Sequence, residues 1–322
     1  MALNPSSFQT RDALTDFSIR AANEMTDFIA DEVFPPVYVT KEQFKTYQYD
    51  LSNYREVDTQ KSSKSEADLV DYGVFTKDRT AKLHKLAGEW DPADEKNFDK
   101  VVADLQQDTA KTVIERLMLR KERLAVALAT TASYYPSALT QTLAGGSTWL
   151  DAGGDVEGNS RTARVAVKTA CGKAPNAAAM SWTTFEALKV APSVVDRIKY
   201  TNGQQPTEEI LKNLLGVQFL HICRAQYNSA IEGATASLSD VWDDTVVYYV
   251  KDTSPSPRTM RYGSTYIRNE LYTYQYKVDE RGSGDGRIER LEMGLWYLHA
   301  PGAVVSSSDD DFTAGYCLKN AV

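Results

Sequence analysis

Residues 91–130 read DPADEKNFDKVVADLQQDTAKTVIERLMLRKERLAVALAT. Asp91 suits an N-cap, Pro92 the first helical position, and Asp94 the positive end of the helix dipole. Phe98, Val101, Val102, Leu105, Val113, Leu117, Leu124 and Leu128 then hold a helical stripe to residue 130. The pattern predicts a helix of about 36 residues, roughly 54 Å long at 1.5 Å per residue. That is long for a globular domain, and such a helix serves as a spine for other elements to pack against.

Upstream of the spine the chain offers little core. Residues 11–31 read as an amphipathic helix, with Leu14, Phe17, Ala21, Met25 and Phe28 at three- and four-residue spacing. Phe34-Pro35-Pro36 stops it, because proline removes a donor and restricts the residue before it. This is an arm rather than a domain. Tyr47, Tyr49 and Leu51 alternate with Thr46, Gln48 and Asp50 as a half-buried strand, residues 52–68 are polar, and a second extended stretch runs from Leu69 to Leu86. Two strands with a long polar tip make a hairpin that is marginal on its own in water. It reads either as a loose surface insertion or as a ribbon stabilised by lying on another subunit.

Downstream, residues 144–160 are rich in Gly, Ser and Asp and read as a loop, with a mixed α/β stretch from about Arg161. Residues 163–169 belong to a helix of small residues, and residues 177–180 form a short buried strand. Thr183-Thr184-Phe185-Glu186 matches a capping box that opens a helix through Val190, and Thr207-Glu208-Glu209 starts another that Gly216 stops. Residues 217–223 and 245–250 are strands. Residues 266–278 and 287–298 alternate over long spans on either side of a glycine-rich turn at 282–286, a long β-hairpin.

The 322 residues are 42% hydrophobic and 25% charged, which excludes collagen, a wholly disordered chain and a disulfide-dense mini-protein, and the length suggests about two domains. A net charge of −8 argues against a protein whose main task is gripping phosphates, and fits one that stays in solution. Cys171, Cys223 and Cys317 are far apart with no CxxC pair, pointing to a reducing cytosol. Neither a secretory signal nor a membrane-spanning stretch is legible. Catalytic motifs are missing: no GxSxG, HExxH, EF-hand or P-loop pattern occurs. His84, His221 and His299 lie in three different segments; His221 reads as a buried strand residue, and His299 as a strand end that could equally be surface. Asp309-Asp310-Asp311 reads as a solvated turn rather than a cation site. No cofactor or metal is expected. Arg116, Arg120 and Arg123 share one helix face and could touch phosphates, but Asp108, Glu115 and Glu122 nearby make a salt-bridged surface the better default.

Taken in order, these pieces resemble the tailed-bacteriophage major capsid proteins of the Hong Kong 97-like fold. The likeness rests on Val33-Phe34-Pro35-Pro36-Val37 leading into Tyr47-Gln48-Tyr49-Asp50, and on Val195-Asp196-Arg197-Ile198-Lys199-Tyr200-Thr201 before Thr207-Glu208-Glu209-Ile210-Leu211 and Leu215-Gly216-Val217. Arg224-Ala225-Gln226-Tyr227-Asn228 and Trp242-Asp243-Asp244 complete it. The resemblance implies an α+β fold with the N-arm at 1–37, the E-loop hairpin at 38–90, a P-domain with the spine helix at 91–135 and 262–305, and a mixed α/β A-domain at 136–261 and 306–322. It implies a structural, non-enzymatic protein that self-assembles into homo-pentamers and homo-hexamers of an icosahedral virion head around double-stranded DNA. A separate scaffolding protein, a portal and a possible decoration protein would be its partners, assembly would occur in the host cytoplasm, and no membrane would be involved.

Phe17, Phe28, Phe34, Tyr47, Tyr49, Lys61, Lys64, Arg116, Arg120 and Arg123 are the expected inter-subunit contacts. Lys61 and Lys64 sit near the loop tip, where some family members crosslink a lysine to an asparagine, but no motif here licenses that chemistry. An encapsulin-like nanocompartment shell, or an uncharacterised α/β enzyme or ligand-binding protein, are the competing readings.

Overall fold

The computed structural model describes residues 9–10, 19–22, 25–49, 51–63, 65–70, 73–91, 105–199, 206–231, 233–252, 259–279, 287–302 and 311–322. In chain order its elements begin with β1 (Gln9–Thr10), α1 (Ala30–Val33), β2 (Pro36–Val39), β3 (Gln43–Tyr49), β4 (Val74–Thr80), β5 (Lys82–Trp90) and α2 (Leu105–Ala129). Next come β6 (Thr140–Thr142), α3 (Val156–Cys171), β7 (Ala177–Ser181), α4 (Trp182–Val190), α5 (Pro192–Lys199), α6 (Glu208–Leu215) and β8 (Phe219–Cys223). The chain ends with β9 (Gln226–Asn228), β10 (Leu238–Asp240), β11 (Val246–Tyr249), β12 (Gly263–Asp279), β13 (Arg287–Pro301) and β14 (Gly315–Lys319).

The first body is a long sheet with α2 lying on it. The expected hairpin is β12–β13, antiparallel from Gly263↔Pro301 to Asp279↔Arg287, with one register shift between Arg268 and Tyr272. Strand β5 extends it on the β13 side, while β1 and the parallel β2 share the far edge of β12. Strand alternation turns Leu291, Met293, Leu295 and Tyr297 toward Ala110, Val113, Ile114 and Leu117 of α2, and these side chains form a buried cluster with Trp90. The helix lies so close to β5 that a Cβ on Gly88 would stand 2.4 Å from Thr109 Cγ2, so only glycine fits there. The expected start of this helix at Asp91-Pro92 lies beside residues 92–104, which fall outside the described ones.

The second body is a mixed sheet in the order β6–β14–β11–β7–β8, packed by α3 to α6. Trp149, Trp242, Tyr248, Tyr249, Tyr262 and Phe312 are its largest fully buried side chains, and every residue of β7 is buried. Two sequence expectations are corrected here. Helix α3 begins at Val156 inside the stretch read as a loop: Asp155 caps it by accepting from Gly158 N at 2.8 Å, and Ser160 Oγ bonds Tyr248 OH at 2.7 Å. Helix α4 is capped by Ser181, which accepts from Thr184 N at 3.1 Å, rather than by Thr183. Helix α6 starts after Thr207 and ends at left-handed Gly216, as its sequence predicts.

A two-stranded ribbon, β3 paired with β4 from Gln43↔Thr80 to Tyr49↔Val74, stands apart from both sheets. The stretch 69–86 is therefore not one extended strand. Buried Ala81, whose N–H donates to the Glu42 carbonyl at 2.9 Å, is the corner between β4 in the ribbon and β5 in the long sheet.

The two bodies are tied together by the segment 27–36. Residues 19–22 are helical, but the single helix expected over 11–31 is interrupted: residues 25–29 form a turn and non-helical backbone before the short α1. The cause lies on α2, where the carboxylate of fully buried Glu122 accepts from Ile29 N at 3.1 Å and Ala30 N at 2.7 Å. Its other oxygen accepts from Trp242 Nε1 at 2.8 Å, and the Cys223 thiol points to it at 3.7 Å. Burial raises the Glu122 pKa, against the lowering effect of those donors. Neighbouring Lys121 holds both oxygens of Asp31, at 2.6 and 2.8 Å, and Glu32 pairs with Lys251. His299 is half-buried rather than superficial, with Nδ1 2.8 Å from Thr265 Oγ1 and Nε2 3.2 Å from the Lys121 carbonyl.

This junction titrates. His221 Nε2 lies 3.3 Å from Lys251 Nζ, and burial, with that ammonium beside it, pushes the imidazole down to about 4. A depressed histidine contributes stability in full above its unfolded value near 6.5 and loses it as pH falls toward 4. Thermal melts of the unassembled subunit are expected to lose on the order of 2–3 kcal/mol from this group between pH 7 and pH 4. The variant His221→Phe should show a flatter acid limb; an unchanged limb would refute the assignment.

Candidate inter-subunit surfaces

Most of the apolar surface left open lies on the ribbon and on the edges of the α/β body. Within the ribbon, Thr46 is buried and its hydroxyl donates to the Lys77 carbonyl, while Tyr47 is 49% exposed. The half-buried face is thus opposite to the one its aromatic alternation suggests, and Tyr47 faces outward in the isolated chain. Asn53 closes the ribbon, its side chain exchanging hydrogen bonds of 2.8 and 2.9 Å with the backbone of Gly73. Leu51 packs on the α/β core, and the Tyr54 ring lies against Gly172, whose left-handed conformation and missing side chain leave it room. Beyond that closure every described residue from Arg55 to Val70 is exposed, including Leu69 at 97% and Val70 at 75%.

Two large apolar side chains thus stand side by side in water, on a loop that no other described residue covers. Lys61 sits on this tip in an exposed 2.8 Å pair with Asp68, an interaction worth roughly 0–1 kcal/mol. At the ribbon base, a groove of about 820 Å³ is lined by Tyr38, Val39, Lys41, Phe44, Asp78 and Arg79. Tyr38 stands 67% exposed at its rim, and Phe44 packs on Tyr266 of β12 at 5.0 Å. On the α/β body, Leu150, Val165, Trp182, Val190, Val195, Ile231 and Leu238 are exposed apolar side chains.

The other expected contact residues fall in different environments. Phe34 is fully buried among Tyr262, His299 and Phe312, at 5.3, 5.5 and 6.0 Å, so it is a core residue of its own subunit and unavailable to another. The Pro35-Pro36 stop that follows fixes where the chain enters β2, which explains why a large aromatic precedes it. Phe28 is half-buried against the same core. Phe17 and Lys64 lie outside the described residues, as does the side chain of Tyr49. Arg116, Arg120 and Arg123 are exposed on α2, and none of them forms an ion pair among the described residues, contrary to the salt-bridged surface expected. Arg123 instead covers the Tyr227 ring at 4.4 Å. Sequence reading missed Leu69 and Val70, the most exposed apolar pair on the ribbon, because a two-residue apolar step in a polar stretch carries no periodicity.

Among the described residues no group of three or more His, Cys, Asp or Glu side chains could hold a metal ion. No described helix is long and apolar enough to cross a membrane. The three cysteines are free and buried, and burial raises the pKa of each.

A two-stranded ribbon, a long helix on a long sheet and a mixed α/β body give the chain an α+β fold of the Hong Kong 97-like capsid kind. The chain is 25% identical over 284 residues to the major capsid protein of Burkholderia phage BcepMu, spanning 86% of this chain and 87% of that one. A phage-related protein from Bordetella bronchiseptica superposes with a TM-score of 0.73 at 20% identity over 97% of both chains. The capsid structure of cyanophage P-SCSP1u superposes with a TM-score of 0.52 at 12% identity, covering 91% of this chain and 88% of that one. No family model matches the chain.

Proposed function

We infer that the chain is a structural major capsid protein, working in the virion by self-assembly into pentamers and hexamers of a closed icosahedral head. The observation that carries this reading is the likeness over 86% of the chain to a phage major capsid protein, joined to the exposed apolar pair Leu69 and Val70 on the loop beyond the ribbon. Identical subunits meeting head to tail close into rings. A ribbon reaching a neighbour and an arm reaching another add avidity without a single strong contact. The role is structural rather than catalytic.

On this reading residues 1–37 are the N-arm and the β3–β4 ribbon is the E-loop. Within the expected 38–90 span, Lys82–Trp90 pairs with β13 and is counted with the P-domain, beside 91–135 and 262–305. Residues 136–261 and 306–322 form the A-domain. Packaged double-stranded DNA, a portal, a scaffolding protein and a decoration protein belong to the same reading as partners, with assembly in the host cytoplasm. Negative-stain electron microscopy of the purified protein tests it: closed particles of uniform size are expected. A persistent monomer across crowding and scaffold conditions would overturn it in favour of an enzyme or ligand-binding protein.

A further inference from the structure

A row of positive charge with no ion pair among the described residues lies along the exposed face of α2, and a further exposed arginine stands on the turn between β8 and β9. Arg116, Arg120 and Arg123 lie within about 60° of one another and span roughly 10 Å of helix axis. Arg224, also exposed, places its guanidinium 4.9 Å from the ring of half-exposed Trp182. Tyr227, three residues on, is the ring covered by Arg123. Of the nearby carboxylates, Glu122 is engaged inside the junction, Asp31 by Lys121, Asp240 by Thr183 and Gln226, and Glu186 by Lys189, while exposed Asp27, whose carbonyl accepts from Arg224 N at 3.2 Å, forms no ion pair with these arginines. Glu115 is exposed, but it projects about 100° round the helix from Arg116.

Four guanidinium groups without carboxylate partners among the described residues form a cationic row on a chain of net charge −8. Two of them are held over aromatic faces, which restricts their rotamers in advance of binding and leaves their donors directed outward. Guanidinium groups match phosphate oxygens with paired donors and keep their charge at all accessible pH values. Duplex DNA offers one phosphate per about 1.7 Å of axis, so a 10 Å row meets several at once. The acidic remainder of the surface keeps the grip local and weak, as a container for DNA requires.

We propose that the track formed by Arg116, Arg120, Arg123 and Arg224 contacts the phosphate backbone of double-stranded DNA without reading sequence, so that the free face of α2 lines the shell interior. The proposal rests on the shell reading above. A carboxylate-bearing segment of a second copy, the ribbon tip with Glu66 and Asp68, is the competing occupant.

The test uses full-length protein and a fluorescent duplex of about 24 base pairs, titrated by anisotropy at several salt concentrations, with particle formation followed in parallel by electron microscopy. The wild type is expected to bind at low salt and to weaken steeply as salt rises. In R116A/R120A/R123A/R224A the slope of log affinity against log salt should fall by about 3.6, at roughly 0.9 per lost phosphate contact. Binding at low salt should weaken at least tenfold, while shells still form. Arginine-to-lysine exchange at the same four positions should preserve the slope. An unchanged slope, or a wild type that fails to bind, overturns the proposal while normal shells leave the capsid reading standing. Lost shells with normal duplex binding would also overturn it and assign the track to a second copy. A reduced slope in a protein that never forms shells would support the DNA surface and sink the capsid reading instead.

Discussion

The variant Glu122→Ala is expected to lose about 4 kcal/mol of subunit stability, read as a lower denaturant midpoint of the unassembled protein. Three donors lose their acceptor at once: the amides of Ile29 and Ala30 and the indole N–H of Trp242. Each buried donor left unpaired costs roughly 1–3 kcal/mol, and the emptied side-chain volume adds to that. Domains of this kind are stable by about 5–15 kcal/mol, so the loss is a large share of the whole. Glu122→Gln keeps the volume and one good acceptor and should cost about half as much. The damage should also be specific in place. Ile29 and Ala30 belong to the arm, Glu122 to the spine and Trp242 to the α/β body, so hydrogen exchange should rise at all three. A Glu122→Ala protein within 1 kcal/mol of wild type would show that the carboxylate does not organise this junction.

Deletion of residues 55–66 is expected to leave the subunit folded and to abolish closed particles. The closing bonds between Asn53 and Gly73 lie outside the deletion, as do all seven registered pairs of β3 with β4. No described residue removed is buried, and shortening a loop changes its closure entropy by only about 0.6 kcal/mol per halving. The melting temperature should therefore hardly move. What is lost is the stretch that carries Leu69 and Val70 out to a neighbour, and in a ring each missing contact is repeated in every subunit. Melting curves and electron micrographs of the same preparation check both halves of the statement. Normal shells from the deleted chain would remove the role assigned to the ribbon.

The large features of the fold are legible because they are periodic. The β12–β13 hairpin alternates over more than a dozen residues, and the apolar stripe of α2 persists from Leu105 onward. Where local chemistry is weak, the reading slips. Gly158 and Ser160 are poor helix formers, yet α3 starts there because Asp155 caps it and Tyr248 of β11 takes the Ser160 hydroxyl, a partner 88 residues away. The stripe across 11–31 is real but interrupted, since a side chain from residue 122 claims the amides at 29 and 30. Long-range hydrogen bonds of this kind leave no trace in a window of adjacent residues. The contact surface is less legible still. Phe34 and Tyr47 look alike in sequence, but one is enclosed by three aromatic rings and the other faces water.

Ala81 joins a strand held in the long sheet to one that, on the capsid reading, is offered to a neighbour. Any pull a neighbour exerts on the ribbon arrives at this corner and enters β5 along the strand axis. Strand β5 is registered with β13 from Lys82↔Tyr297 to Trp90↔Glu289, so the load is shared in shear by the whole ladder instead of peeling it one bond at a time. From β13 it passes to β12 and, through the packed cluster, to α2. A head pressurised from within would carry its tension along this line, with the longest sheet of each subunit serving as the strut between neighbours.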